Sequence, residues 1–218
     1  MYLIVQIPCY NEESTLRPVI EDIPRSIPGI DKIEILIIND GSTDNTLEVA
    51  RSLPVGHHIL DFKSNRGLAF SFKKGLEKCL SLGADIIINT DGDNQYKSGD
   101  IPLLIKPILS GDADMVVGCR NIAANTEFGT IKKYLHYIGG WVVRKIAGTK
   151  IKDVTSGFRA FTREAAMRLV IFDVYTYTLE SLIQAGNTPE IRLAQIEIGV
   201  NPKTRDSRLI SSIPHYLK

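Results

Sequence analysis

The feature that most constrains this chain is an alternation of two hydrophobic periods. Tyr2–Ile7, Ile33–Ile38, His58–Phe62, Asp85–Asn89 and Asp114–Gly118 are short runs, most of them rich in Ile and Val, and read as strands. Between them, Glu12–Ser26, Asp44–Leu53, Gly67–Leu82 and Gly99–Ser110 repeat their apolar positions at helical spacing. Near-continuous apolar strands suit a sheet covered on both faces, which parallel sheets are. A β-α-β-α rhythm therefore predicts an α/β fold with an open, doubly wound, largely parallel sheet and right-handed crossovers. Ligands of such sheets sit beyond the carboxyl ends of the strands. That rule directs attention to Pro8–Glu13, Asn39–Asp44, Lys63–Gly67 and Thr90–Tyr96.

Beyond residue 120 the rhythm breaks. Asn121–Gly129 reads as a polar loop and Ile131–Ala147 as a helix, followed by a strand over Thr155–Phe161. Short helices over Arg163–Val170 and Thr178–Ala185 and a last strand over Ile191–Val200 complete the reading. No repeat, low-complexity stretch or linker interrupts residues 1–218, so a single domain is expected, with 1–118 and 119–218 as its two halves.

Several function classes drop out. A net charge of +1 from 26 basic and 25 acidic side chains argues against a nucleic-acid partner. Cys9, Cys79 and Cys119 are too few and too scattered for a disulfide framework or a structural zinc site, which favours a reducing compartment. No stretch approaches the roughly 18 apolar residues of a membrane span, and the start does not read as a signal peptide. No GxGxxG follows the first strand, which weighs against a dinucleotide oxidoreductase.

The clearest chemical signal is Asp91-Gly92-Asp93-Asn94-Gln95 at the end of the fourth predicted strand. Two carboxylates at i and i+2 converge when Gly92 lets the chain turn, and hard oxygen ligands suit Mg²⁺ or Mn²⁺. A polar turn capping the next helix is the competing reading. Asn39-Asp40-Gly41-Ser42-Thr43-Asp44 supplies a helix N-cap, and Asp40 at the strand tip can accept from a base or a ribose. In Pro8-Cys9-Tyr10-Asn11-Glu12-Glu13, Asn11 can cap the first helix and Tyr10 can pack on a flat ring.

Taken in order, Ile7-Pro8-Cys9-Tyr10-Asn11-Glu12-Glu13, Asn39–Asp44, Asn65-Arg66-Gly67 and Asp91–Gln95 resemble glycosyltransferase family 2. Gly118-Cys119-Arg120 and Asp153–Phe161 are similar to the branch of dolichyl-phosphate mannosyltransferase and related polyprenyl-phosphate enzymes. The resemblance spans residues 4–210 and implies a GT-A fold with a mainly parallel, mixed central sheet flanked by helices, a UDP- or GDP-sugar donor, a divalent metal, inversion at the anomeric carbon and a polyprenyl phosphate acceptor. It implies that Pro8, Tyr10, Glu12, Asp40 and Arg66 line the nucleotide pocket, with Asp91 near the ribose or metal. Asp93 and Gln95 would be metal ligands, and Arg120, Arg159, Arg205, Ser207 and Arg208 would face the diphosphate or the acceptor phosphate. Asp93, Arg120 and Asp153 are then the candidate catalytic residues. The chain departs from the family at Asn39, where an Asp is frequent, and at Cys119, where a Ser is.

A lipid phosphate is mostly dianionic at neutral pH and needs positioning more than a general base. A hydroxyl acceptor would need one, and Asp153 and Glu180 are the candidates, although either carboxylate can instead orient an arginine. Transfer to a glycan or protein hydroxyl, and a silent nucleotide-sugar or membrane-binding module, are the alternative functions. Residues 1–100 carry 10 basic and 15 acidic side chains, and residues 101–218 carry 16 and 10. The acidic half fits metal and nucleotide, the basic half phosphate and a membrane surface. Residues 128–152 hold Lys132, Lys133, Arg144, Lys145, Lys150 and Lys152 without an acid, interleaved with Tyr134, Tyr137 and Trp141. Two readings stand: a basic helix lying on an anionic bilayer, or a helix packed on the sheet through Ile131, Leu135, Ile138 and Val142 with its lysines solvated. Peripheral attachment at the cytoplasmic face of a membrane is expected. The stop just past Ser207-Arg208-Leu209 fits either a soluble member or a truncated form of a membrane-anchored protein.

Overall fold

A computed structural model describes residues 1–53, 57–121, 130–172 and 176–202, with the backbone alone over 130–137. Strands β1 (Tyr2–Cys9), β2 (Lys32–Asn39), β3 (His57–Asp61), β4 (Ile86–Asn89), β5 (Met115–Cys119), β6 (Arg159–Thr162) and β7 (Leu193–Glu197) form one sheet in the order β3-β2-β1-β4-β6-β5-β7. Every neighbouring pair is parallel except those of β6, which runs antiparallel to both β4 and β5. The mainly parallel sheet expected from the alternation is present, and it is mixed, as the GT-A resemblance implies. Its one reversed strand comes from the second half of the chain and sits between two strands of the first.

Side-chain alternation splits the core into two layers. Leu3, Val5 and Ile7 point to the face covered by α1 (Leu16–Asp22), α2 (Thr46–Arg51) and α4 (Ile101–Leu109). Ile4, Leu36, Ile38 and Ile87 point to the other face, under α3 (Leu68–Ser81), α6 (Arg163–Arg168) and α7 (Tyr177–Gly186). Burial on both faces is why these strands carry Ile and Val at nearly every position.

The helices are shorter than their periodicity suggests. The first begins at Leu16 rather than Glu12, which leaves Pro18 in the first turn, where its missing N–H costs no hydrogen bond. It ends at Ile23, whose ψ of 124° is the extended geometry that a following proline imposes. Asn11 does not cap this helix. It adopts a left-handed φ of 56°, and its side chain accepts from the Thr43 amide at 2.8 Å. The strand expected over Thr155–Phe161 starts only at Arg159, because Ser156 turns back through its amide onto the Asp153 carbonyl.

In α5 (Thr130–Ile146), Val143 and the following Ala147 meet the core. Ile138, Trp141, Val142 and Ile146 are exposed, so the expected packing of Ile138 and Val142 on the sheet does not occur. Their face of the helix points to solvent. The side chains of Ile131, Lys132, Lys133, Tyr134, Leu135 and Tyr137 lie outside the described residues. Among those described, no helix is long and apolar enough to cross a membrane.

Candidate active site at the carboxyl ends of the strands

The loops after β1, β2 and β3 are fastened into one rim. The Asn11 amide donates to Ser42 Oγ at 2.9 Å, the Glu12 amide to Thr46 Oγ1 at 2.7 Å, and Asn45 donates its amide to Glu13 Oε2 at 2.9 Å. Asp40, 3% exposed, accepts from the Arg66 amide at 2.8 Å and the Gly67 amide at 2.9 Å, one on each carboxylate oxygen. Its observed work is to hold the β3 loop against the β2 tip. Gly41 has a φ of 66°, and a Cβ there would lie 2.3 Å from the Ser64 carbonyl carbon, so only glycine fits this crossing. Asn39 donates to Asp61 at 2.7 Å; an aspartate there would set two carboxylates against each other. Tyr10 is 37% exposed on the rim, and the Arg66 guanidinium lies 4.4 Å from the centre of the Phe70 ring. Glu12 is buried and accepts from Thr15 Oγ1 at 2.7 Å.

The second group of residues gathers at the tips of β4 and β5. Asp93 Oδ1 accepts from the Gln95 amide at 3.0 Å, closing the turn that Gly92 and the left-handed Asn94 (φ 59°) allow. Asp91 is half-buried beside it, and no hydrogen bond reaches its carboxylate among the described residues. Burial first, then the Asp93 and Glu12 charges, push Asp91 up to about 7 against the pull of Arg120 and Arg159. A carboxylate so placed is short of positive charge. Among the described residues no three His, Cys, Asp or Glu side chains form a metal cage by themselves. One or two carboxylates completed by ligand phosphates is the usual arrangement for Mg²⁺, so Asp91, Asp93 and Gln95 fit such an ion as a donor set.

Arg120 sits opposite. Its Nε donates to Asp153 Oδ2 at 2.7 Å and its Nη2 to Asp153 Oδ1 at 3.1 Å and Thr155 Oγ1 at 3.1 Å, while Nη1 reaches Gln95 Oε1 at 3.4 Å. Burial works against its charge, but Tyr96 and Asp153 more than offset this and hold the guanidinium protonated. Among the described residues four of its five donor hydrogens are engaged, and the fifth is on Nη1 beside Gln95.

One expectation needs correction. Arg159 does not face a phosphate: it is 0% exposed, and it donates to the carbonyls of Val154, Ser156 and Thr178 and to Ser181 Oγ at 2.7–3.0 Å. It staples the 154–159 loop to α7. Asp153 accepts from Arg120 on both of its oxygens, which is the geometry of the second of its two readings, a carboxylate that orients an arginine. Glu180 accepts from the Phe172 amide at 3.0 Å. Arg205, Ser207 and Arg208 lie outside the described residues.

Sequence reasoning missed the ring of residues under Gly157. The Gly157 carbonyl accepts from Asn89 Nδ2 at 2.9 Å, and its amide donates to Tyr96 Oη at 2.8 Å. Asn89 Nδ2 also donates to Tyr177 Oη at 2.7 Å, and Gln6 Nε2 donates to Asn89 Oδ1 at 3.0 Å. The buried polar residues Gln6 and Asn89 within apolar strands were the available signal.

Residues 4–172 match the family model described as glycosyl transferase family 2. The chain is 30% identical over 183 residues to the UDP-N-acetylglucosamine–dolichyl-phosphate N-acetylglucosaminyltransferase of Methanococcus voltae, covering 76% of this chain and 70% of that protein. It is 26% identical over 176 residues to the polyprenol monophosphomannose synthase of Mycolicibacterium smegmatis, covering 76% and 63%. In structure it is similar to glucosyl-3-phosphoglycerate synthase from Mycobacterium tuberculosis, solved with UDP, at a TM-score of 0.73 and 22% identity over 95% of this chain and 73% of that one. The fold is GT-A, and the chain belongs to glycosyl transferase family 2.

Proposed function

We propose that this chain moves a sugar from a UDP- or GDP-sugar to a polyprenyl phosphate, with inversion at the anomeric carbon and with Mg²⁺ or Mn²⁺ bound. The observation that carries the reading is the pairing of an electron-rich turn, Asp91 to Gln95, with the oriented cation Arg120 on the adjacent loop. The relatives named for dolichyl and polyprenol phosphates support the acceptor class, and the Mycobacterium tuberculosis synthase was solved with Mn²⁺ and UDP.

In this reading Pro8, Tyr10, Glu12 and Arg66 receive the nucleotide on the rim, which Asp40 keeps rigid while each of its oxygens retains a second lone pair. Asp91, Asp93 and Gln95 hold the metal. A divalent ion there supplies charge stabilisation to the departing diphosphate. Arg120 contributes its free Nη1 hydrogen and full charge to the same phosphates, and Asp153 fixes its orientation so that little reorganisation is needed during transfer. A phosphate acceptor attacks as a dianion and asks for no base, which suits a site where Asp153 and Glu180 are both already engaged. Arg205, Ser207 and Arg208 keep the role implied by resemblance, contact with the acceptor phosphate.

The exposed Ile138, Trp141, Val142 and Ile146 support docking of α5 on a lipid surface. Arg144, Lys145, Lys150 and Lys152 lie on or just beyond this helix, and no acid occurs between residues 138 and 152, which suits anionic headgroups at the cytoplasmic face.

The test is a grid of UDP-glucose, UDP-N-acetylglucosamine and GDP-mannose against dolichyl and undecaprenyl phosphate, across a Mn²⁺ titration. One donor should stabilise the protein and yield a sugar-phosphate lipid. Asp93→Asn should lose about 100-fold or more of the metal-dependent rate with little change in melting temperature. Turnover on a free glycan with every lipid phosphate inert would overturn the acceptor, and equal activity of Asp93→Asn would overturn the metal assignment.

A further inference from the structure

The segment just beyond β7 is stitched to the metal-binding turn. Val200 bridges Tyr96 in antiparallel fashion, and the Gly199 amide donates to Asp100 Oδ2 at 2.7 Å. Asn201 then makes the closest attachment. Its amide donates to the Gln95 carbonyl at 3.0 Å, and its Nδ2 reaches the Asn94 carbonyl and Asn94 Oδ1 at 3.1 Å each and the Tyr96 carbonyl at 3.4 Å. One side chain thus gathers three acceptors from the turn, more than its two amide hydrogens can serve singly.

We infer that Asn201 is a positioning residue for the Asp93–Gln95 turn, acting through Asn94. Asn94 is in the left-handed region, a conformation that a non-glycine residue holds only when its surroundings compensate. Asn201 compensates on both the backbone and the side chain of Asn94. The consequence reaches the two neighbours. Gln95 is held on both sides, its amide by the Asp93 carboxylate and its carbonyl by the main-chain amide of Asn201. The Asn201 side chain adds the grip on Asn94, and with it Asp93 stays in the turn and the Gln95 side chain beside Arg120; without it Asn94 relaxes and both swing apart. The inference deepens the metal reading above and rests on it.

Two readouts test it. The first is Mn²⁺ affinity, measured by electron paramagnetic resonance of free Mn²⁺ in the presence of UDP and, in parallel, GDP. Asn201→Ala should weaken it about tenfold, the range seen when support behind a metal ligand is removed. On an Asn94→Gly background, where the left-handed conformation no longer needs support, the same substitution should cost less than about threefold. The second is hydrogen exchange at the Gln95 amide, which should quicken in Asn201→Ala with no metal present. If the wild type binds no Mn²⁺ with either nucleotide, the metal reading fails and the Gln95 exchange alone decides whether Asn201 holds the turn. Unchanged Gln95 protection in Asn201→Ala, or full additivity of the two substitutions, would overturn the inference.

Discussion

Gly157→Ala is the perturbation whose outcome the packing specifies most fully. A Cβ at this position would lie 2.8 Å from Tyr177 Oη and 3.1 Å from each Asp91 oxygen. Contacts this short force something to move. Tyr177 cannot give way freely, since it is 0% exposed and its ring stacks on Phe72 with centroids 3.8 Å apart. Overpacking a core position costs about 1–3 kcal/mol, and straining the buried Asn89–Tyr177 hydrogen bond adds about 1 kcal/mol. The total, about 2–4 kcal/mol, corresponds to a fall in Tm of roughly 4–16 °C for a chain of this size. The methyl also crowds the Asp91 carboxylate, so metal-dependent turnover should drop about tenfold beyond what the folded fraction explains. Gly139→Ala is the control, because nothing lies within 4 Å of its added Cβ and it sits inside α5. It should stabilise by about 0.5–1 kcal/mol through helix propensity and leave turnover alone. Thermal melts and initial rates on both variants decide the matter. A Gly157→Ala protein with wild-type Tm and rate would refute the contact geometry around Asp91.

Three further outcomes follow from the same geometry. Arg159→Met should lower stability by about 3 kcal/mol or more, since three buried carbonyls lose their donor; a well-folded variant with a raised nucleotide KM would instead return Arg159 to the phosphate. For Glu34, burial resists ionisation, but hydrogen bonds from Tyr2, Lys32 and His58 win and hold the carboxyl at about 2, below its usual 4.5. The resulting stability is present above pH 4.5 and lost as pH falls towards 2; Glu34→Gln should remove on the order of 1–2 kcal/mol at neutral pH and flatten the Tm profile in that window, and a superimposable profile would contradict it. Trp141→Ser should cut co-sedimentation with anionic vesicles about tenfold while shifting stability by under about 0.5 kcal/mol, and unchanged vesicle binding would remove α5 from the lipid surface.

What was legible in the sequence was local. The Ile-rich runs of β1, β2 and β4 announce strands covered on both faces, and the polar motifs directly after them land at the carboxyl edge because strand tips must end there. What was not legible depends on partners far along the chain. Nothing near Arg159 announces that β6 will enter between β4 and β5 in reverse. An arginine beside a Ser-Gly turn reads as a phosphate ligand until burial shows its donors spent on carbonyls. Asp153 reads equally well as a base or as an arginine's orienting partner, and only the two-oxygen contact with Arg120 separates these. Asn201 carries no motif at all; its role comes from where β7 ends.

In the proposed reaction a sugar passes from a nucleotide to a lipid phosphate beside Arg120. Mass spectrometry of the lipid extract, after incubation of protein, Mn²⁺, the stabilising nucleotide sugar and undecaprenyl or dolichyl phosphate, tests it most directly. Wild type should give the lipid mass plus one sugar residue, and Arg120→Ala should give at most about one hundredth as much per folded molecule, with a lowered Tm because the buried Asp153 carboxylate loses its partner. Sugar found only on water or on a hydroxyl acceptor, or full lipid product from Arg120→Ala, would contradict it.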